Sequence, residues 1–400
     1  MLIAGEASGD LLAAELVSAL RDELARAEIS PTADSQPLRT SLEPRFFGAG
    51  GPRMAAAGVD LALDMTEHAV VGLSDALKNY LKFRRLFHQL YRLALERQPD
   101  AIICVDFSGF NRRFAHAIRQ HVRPRQDWFH DWSPRLIQYV SPQVWASREG
   151  QAYQMAQDYD LLLSIFQFEK AWYAKRVPRL PVEFVGNPIA ERYAHLETAP
   201  GPVPVRSPAS PTVLLLPGSR TSELARHLPV LLGALRRMRE THRSLSARVV
   251  FPDETLAAKA RAAGLPADVQ IQIGRLHEAL READVALAST GTVTMECAYF
   301  GVPTVALYKT SWTTYHIAKQ LVTVKYLTMP NLLANEEVFP EFIQGAATAE
   351  NLARAALELL SDENRRKHIR EKLSEIASSL GGPGASRRAA QAIIRCLNSP

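Results

Sequence analysis

Apolar residues in this chain fall into two kinds of run. Short strand-like, mostly apolar blocks occupy residues 2–4, 45–47, 101–105, 136–140, 160–165 and 182–185, and between them apolar positions recur every three or four residues. The same order returns later, with blocks at 213–216, 247–251, 269–273, 284–288 and 304–307. Spacing by three and four marks amphipathic helices, and an unbroken apolar block bounded by turn residues marks a strand buried on both faces. Strands that alternate with helices pair in parallel. The pattern therefore predicts an α/β fold with two Rossmann-like, doubly wound parallel sheets.

Between the two series, residues 197–212 hold five prolines and no periodicity, which is the composition of a linker. The predicted organisation is a first domain over 1–190, a linker over 191–211 and a second domain over 212–384. Beyond the break Gly381-Gly382-Pro383-Gly384, residues 385–400 carry one more helix, expected to pack back on the first domain or to swap to a partner copy in a homodimer. Residues 30–44 and 121–134 lack periodicity and read as surface insertions. The helix predicted over 73–97 sets an apolar stripe (Phe83, Phe87, Leu90 and Ala94 among it) beside a basic one that includes Lys78 and Lys82. Most of the apolar stripe is expected to face a core. At its start Val71, Leu73 and Leu77 supply more apolar surface than one core stripe requires, and this end is assigned to peripheral contact with an anionic membrane.

With 400 residues the chain is long enough for two cores, and its formal net charge of +5 points to anionic partners. No apolar run reaches the roughly 18 to 20 residues of a membrane span. Cys104, Cys297 and Cys396 show no CxxC spacing, which suits a reducing cytoplasm better than a disulfide framework or a zinc site. The N-terminus has neither the basic segment nor the long apolar core of a signal peptide, and looks like a first strand cut short. Asp158-Tyr159-Asp160 has the carboxylate spacing of some metal sites, but it precedes an apolar block and so stands at the amino end of a strand, away from the ligand edge. It reads as a turn, and no metal or cofactor is expected. HExxH, GxxxxGK and GxSxG are absent, and no RNA-recognition signature accompanies the basic residues, so nucleic acid is not an expected partner.

Three strand exits carry the candidate chemistry. Ser289-Thr290-Gly291-Thr292 follows an apolar block and opens a helix, whose unpaired N–H groups and dipole attract an anion; Glu296 lies about a turn further in, within reach of a ribose. The block at 213–216 ends in Pro217-Gly218-Ser219-Arg220, which puts a guanidinium at a second exit. Ligands of open parallel sheets gather outside the carboxyl ends of the strands, so these two turns are expected to face one crevice and clamp a diphosphate. The third exit, Asp106-Phe107-Ser108-Gly109-Phe110-Asn111, places a carboxylate at a rim. Asp106 is a candidate general base if apolar neighbours raise its pKa, although a helix-capping Asp has the same sequence appearance. Ala4-Gly5-Glu6-Ala7-Ser8-Gly9-Asp10 lacks GxGxxG, and its acids would repel a pyrophosphate. It reads as the acceptor-side floor, with Glu6 and Ser8 lining it, Glu6 as second choice of base and Asp10 structural.

These motifs, together with Phe47-Gly48-Ala49-Gly50-Gly51-Pro52-Arg53-Met54, Tyr139-Val140-Ser141-Pro142-Gln143-Val144-Trp145-Ala146, Met329-Pro330-Asn331-Leu332-Leu333-Ala334 and Val338-Phe339-Pro340-Glu341-Phe342-Ile343-Gln344, resemble the lipid-A-disaccharide synthase family in matching order from residue 2 to residue 344. The resemblance implies a GT-B glycosyltransferase whose two domains face a central cleft. It implies inverting transfer of 2,3-diacylglucosamine from UDP-2,3-diacylglucosamine to the 6-hydroxyl of 2,3-diacylglucosamine 1-phosphate, releasing UDP, on the cytoplasmic face of the inner membrane in lipopolysaccharide biosynthesis of Gram-negative bacteria. By the same resemblance Asp106 matches the family's essential aspartate, Arg220 its UDP-phosphate arginine and Glu296 a ribose-binding Glu, while Asn331, Glu341 and Gln344 match donor-side positions. Ser147, Gln167 and Asn187 depart from a frequent Trp, Pro and His, which bears on acceptor fit and acyl preference. Two rival readings remain at this stage. One is a UDP-N-acetylglucosamine 2-epimerase, and the other is a non-catalytic basic protein that binds membrane or RNA through the 73–97 helix.

Overall fold

The computed structural model describes residues 1–29, 43–65, 76–125, 130–196 and 210–399. The chain divides into two compact units, Met1–Tyr193 with Leu380–Pro400, and Ala194–Ser379. Val71, Leu73, most of the 30–44 insertion and most of the proline-rich linker lie outside the described residues.

The first unit runs β1 (Leu2–Ala4), α1 (Ala7–Ile29), β2 (Phe47–Gly50), α2 (Pro52–Ala56), β3 (Asp60–Asp64), α3 (Ala76–Arg97), β4 (Ala101–Val105), α4 (Ser108–Val122), β5 (Arg135–Tyr139), α5 (Gln151–Asp158), β6 (Leu161–Ser164), α6 (Gln167–Arg176), β7 (Val182–Phe184) and α7 (Pro188–Arg192). Its sheet is seven-stranded and parallel, in the order β3-β2-β1-β4-β5-β6-β7. Successive strand residues feed opposite cores. Met1, Ile3, Ile102 and Cys104 pack with Leu90 of α3 and Phe114 of α4 on one face, and Leu2, Ala4, Ile103 and Val105 pack with Leu16 and Val17 of α1 on the other. Both faces being covered, the strands read as continuous apolar blocks rather than alternating ones.

The second unit runs β8 (Thr212–Leu216), α8 (Thr221–Thr241), β9 (Ser246–Phe251), α9 (Glu254–Ala262), β10 (Gln270–Ile273), α10 (Leu276–Glu282), β11 (Val285–Ser289), α11 (Thr292–Tyr299), β12 (Thr304–Tyr308), α12 (Trp312–Leu321), α13 (Met329–Ala334), β13 (Glu341–Ile343), α14 (Ala349–Ser361) and α15 (Glu363–Ser379). Its six parallel strands are ordered β10-β9-β8-β11-β12-β13. In both sheets the order reverses once, between β1 and β4 in the first and between β8 and β11 in the second. In doubly wound sheets that reversal opens the ligand crevice.

The last helix, α16 (Ala385–Asn398), packs its Ala389, Ala390 and Ile393 into the α1 face of the first unit. Arg388 fixes the return, its Nε donating to the carbonyl of Val185 at 2.7 Å, while the Asn187 N–H donates to the carbonyl of Leu380 at 2.7 Å. Asn187, a family departure, caps α7 by accepting the N–H of Ile189 at 3.0 Å.

Asp10 explains why two distant motifs occur together. Buried in the first turn of α1, it accepts the N–H groups of Gly51, Arg53 and Met54 at 2.8, 3.0 and 3.0 Å, and so holds the start of α2 beside the exit of β1. Asp10→Ala leaves those donors without their acceptor. It is expected to lower stability by about 3 kcal/mol, read as a shifted urea midpoint, since a buried carboxylate bonded to several N–H groups exceeds the ordinary 1–2 kcal/mol of a single cap.

Candidate active site

At the reversal of the first sheet, Asp106 follows β4 and Glu6 follows β1. The backbone turns sharply there, with φ of +48° at Asp106, +44° at Phe107 and +66° at Val140, which follows the neighbouring β5. Three non-glycine residues in the left-handed region, one of them β-branched, are strained and need support. Two buried amides supply it. Asn111 Nδ2 donates to the carbonyls of Asp106 at 2.9 Å and Val105 at 3.3 Å, and Gln138 Nε2 donates to those of Asp106 and Val140, both at 3.2 Å. The Phe107 ring then lies over Gly5. A Cβ at Gly5 would stand 2.3 Å from that ring, so glycine is required where β1 gives way to α1.

Burial pushes the Asp106 carboxyl above the ordinary aspartate range, and the nearby Glu6 carboxylate pushes it further, against a hydrogen bond from the Phe107 backbone. This is the environment that makes an aspartate a proton acceptor. Ser8 is exposed in the first turn of α1. From Phe107 a row of aromatic rings leads away from the carboxylate: Phe107 to Phe110 at 5.6 Å, Phe110 to Phe87 at 5.7 Å, and Phe107 to Phe83 of α3 at 6.1 Å between centroids. Leu90 and Ala94 of α3 are fully buried and Lys82 is exposed; Leu77 and Lys78 belong to α3, but their side chains lie outside the described ones.

At the reversal of the second sheet, adjacent strands β8 and β11, paired in register Leu216↔Ala288, present the Gly218–Arg220 and Ser289–Thr292 turns side by side. Arg220 caps α8 with its side chain 52% exposed, 3.7 Å from Glu223. Glu223 also accepts the Ser219 N–H at 3.1 Å. Gly218, at φ +114°, leaves room for that carboxylate, whose Oε2 lies 2.3 Å from where a Cβ would be. In the other turn Ser289 is buried and the Thr290 N–H is spent on the Leu307 carbonyl at 3.1 Å. Of the backbone N–H groups expected to meet an anion at this turn, that of Thr290 is therefore occupied within the sheet. The N–H groups of Thr292 and Val293 open α11 past Gly291 (φ +132°), with no acceptor inside the helix. Glu296 is partly exposed one turn further.

Asn331, Glu341 and Gln344, matched by resemblance to donor-side positions, are each held in hydrogen bonds within the second unit. Asn331 is fully buried; its Nδ2 donates to the Phe339 carbonyl and to Glu341, both at 2.7 Å, and its Oδ1 accepts the N–H groups of Val338 and Phe339 at 2.9 and 2.7 Å. Glu341 in turn accepts the N–H groups of Leu327 and Thr328, both at 2.8 Å. Gln344 exchanges two hydrogen bonds with the Thr310 backbone, at 3.0 and 3.2 Å. Residues not singled out from sequence also hold the site: Asn111, Gln138, Glu223, and His227, which sits one helical turn beyond Glu223. A further polar centre lies nearby in the first unit. Glu169 is fully buried and accepts the Trp145 indole N–H at 3.0 Å, and burial pushes its carboxyl up to about 7 against that bond. Asp158 faces His116 at 3.0 Å and Asp160 accepts Arg119 at 2.6 Å, so each acid of that turn has a basic partner.

The family model for lipid-A-disaccharide synthetase matches residues 1–395. The chain belongs to that family. Curated lipid-A-disaccharide synthases from Geobacter metallireducens and Geobacter sulfurreducens are 32% and 33% identical to it, each over 99% of this chain and 97% of their own length. One from Anaeromyxobacter sp. (strain K) is 34% identical over 98% of this chain and 96% of its own. Among solved structures, a glycotransferase of kitacinnamycin matches with TM-score 0.60 at 18% identity, over 99% of this chain and 98% of that one. The calicheamicin glycosyltransferase CalG4 matches with TM-score 0.58 at 18% identity, over 100% and 98%. These likenesses show the fold, two parallel-sheet α/β domains of GT-B type. The chain is thus a family glycosyltransferase of lipid A biosynthesis, and among its described residues no helix is long and apolar enough to cross a membrane.

The raised pKa of Asp106 has a measurable consequence. The folded state holds this proton more tightly than the unfolded state does, so its contribution to stability falls as pH rises from the ordinary aspartate range through the folded pKa. Asp106→Asn removes the buried charge. It is expected to melt at or above the wild-type temperature at pH 7.5, with the difference shrinking towards pH 4, in thermal unfolding followed by circular dichroism.

Proposed function

We propose that this chain performs a single inverting displacement, moving 2,3-diacylglucosamine from UDP to the 6-hydroxyl of 2,3-diacylglucosamine 1-phosphate. Asp106 accepts the hydroxyl proton as that oxygen attacks the anomeric carbon, and the glycosidic bond to UDP breaks. Arg220 and the N–H groups of Thr292 and Val293 stabilise the charge that develops on the leaving diphosphate, with Glu296 on the ribose. The observation that carries the reading is Asp106: a carboxylate at a topological reversal, held in a strained turn by two buried amides and raised in pKa by burial and by Glu6. The aromatic row from Phe107 to α3 supports an acceptor with acyl chains, which need an apolar surface beside the reacting hydroxyl. The same reading puts the start of α3 against an anionic membrane, with the protein peripheral on the cytoplasmic face of the inner membrane.

The test is UDP release by the purified protein with the diacylated donor, with and without the diacylated monosaccharide phosphate. Acceptor-dependent release and a disaccharide product are expected. Asp106→Asn should retain UDP binding and lose transfer, and Arg220→Ala should lower turnover by about 10² to 10³, the loss typical of one preorganised donor. Transfer retained in Asp106→Asn would pass the base role to Glu6. Sugar interconversion without UDP release would point to epimerase chemistry.

A further inference from the structure

His227 is fully buried in α8, and both of its ring nitrogens are engaged by backbone. Nδ1 lies 2.8 Å from the Pro217 carbonyl oxygen, and Nε2 lies 3.1 Å from the Lys309 backbone nitrogen. A carbonyl only accepts and an amide N–H only donates, so the pair of contacts fixes the tautomer: Nδ1–H donates and bare Nε2 accepts. The two partners stand on different loops. Pro217 immediately precedes Gly218, Ser219 and Arg220 beyond β8, and Lys309 is the first residue beyond β12. Because the strands lie in the order β8-β11-β12, one imidazole ties together the loops on either side of the β11 exit, where the Ser289–Thr292 turn begins.

Both tied loops are braced elsewhere. Lys309 Nζ donates to the carbonyls of Gln344 and Ala347, each at 3.2 Å, and Thr310 next to it is held by Gln344. On the other side Glu223, four residues before His227, holds the Ser219 N–H and stands 3.7 Å from Arg220. The groups facing the imidazole are Glu223 and Arg226 on its own helix, the Pro217 carbonyl beyond β8, and the Lys309 N–H and Tyr308 ring, 6.3 Å away, from β12. Burial pushes the imidazole below its ordinary range, offset in part by the Pro217 carbonyl and Glu223, so the neutral form is the working one at neutral pH. Protonation would put a second N–H against the N–H of Lys309.

We propose that His227 is a positioning residue for the donor diphosphate: as the Nδ1–H tautomer it sets the separation of the β8 and β12 loops and thereby the placement of the Ser219 and Arg220 groups beside the α11 N-terminus. The inference rests on the diphosphate reading of that crevice. Its test uses the full chain and UDP as probe, with affinity measured by calorimetry at pH 7.5 for wild type, His227→Gln and His227→Phe. Glutamine has one donor and one acceptor and does not titrate, so it is expected to bind UDP within about threefold of wild type, a loss below one net hydrogen bond. Phenylalanine keeps the bulk and loses both bonds. It is expected to weaken UDP binding by about tenfold or more, the equivalent of one to two net hydrogen bonds. Equal affinity of the phenylalanine variant, or a glutamine variant as weak as phenylalanine, overturns the proposal. Wild type that binds no UDP overturns the diphosphate reading itself, a distinct result. A long-range ¹H–¹⁵N spectrum of the wild-type protein needs no variant to fold: the Nδ1–H tautomer with a shift on adding UDP supports the proposal, and an Nε2–H tautomer overturns it.

Discussion

Parallel pairing of β1 with β4 and of β8 with β11 is the constraint on which the rest of the structure depends. With both sheet faces covered by helices, the backbone polar groups of the central strands are consumed in the ladders except at the strand ends. Where the strand order reverses, the two loops leave in opposite directions, and the helices that follow lie on opposite faces. The first unit shows this directly, since α1 after β1 packs on one face and α4 after β4 packs on the other. The crevice follows from the topology, and whatever residues stand at those two exits become the chemistry.

The first unit puts strain there. Left-handed backbone at Asp106, Phe107 and Val140 costs on the order of 1–3 kcal/mol at each position, and a buried carboxylate beside Glu6 adds to it. Asn111 and Gln138 offset part of this, since amides donated to the carbonyls of the strained turns replace the water those carbonyls would otherwise need. The same bonds limit where the Asp106 side chain can go. A residue in an ordinary β or α conformation would need no such support, which gives Asn111 and Gln138 a reason to be fully buried beneath these turns. A carboxylate held this way is oriented before any ligand arrives.

Much of this was legible in the sequence because it depends on local composition. Apolar blocks of four to six residues followed by glycine, hydroxyl or charged residues have the length and punctuation of buried strands and their exits, so β4, β8 and β11 and their turns stand out. The strands β3 and β13 did not. Both are edge strands with no fully buried residue, Asp60–Asp64 carrying two acids and Glu341–Ile343 only three residues, so neither forms an apolar block. Partners across the fold were hidden for a different reason. His227 lies between Leu224, Leu228 and Leu231 at helical spacing, where periodicity assigns it to the core, and its two hydrogen bonds reach ten and eighty-two residues along the chain. Asn331 and Glu341 carry the family pattern, yet the bonds that occupy them arise within one short stretch of chain, which a motif does not display.

The two reversals differ in charge, and that difference does more than the shared fold to separate their tasks. At the first, Asp106 and Glu6 disfavour anions and favour a group that gives up a proton. At the second, Arg220 and the α11 N-terminus favour anions, and Glu223 accepts the Ser219 N–H and stands 3.7 Å from Arg220. On the proposed reading, a carboxylate that already bonds an N–H and faces a guanidinium occupies the kind of place a phosphate oxygen would take, so a diphosphate would exchange one anion for another there. Such an exchange favours the ligand only if the loops hold their spacing when the carboxylate gives way. The bonds from His227 to Pro217 and Lys309 do not involve Glu223's carboxylate, so on the same reading the spacing of the loops does not depend on which anion faces Arg220.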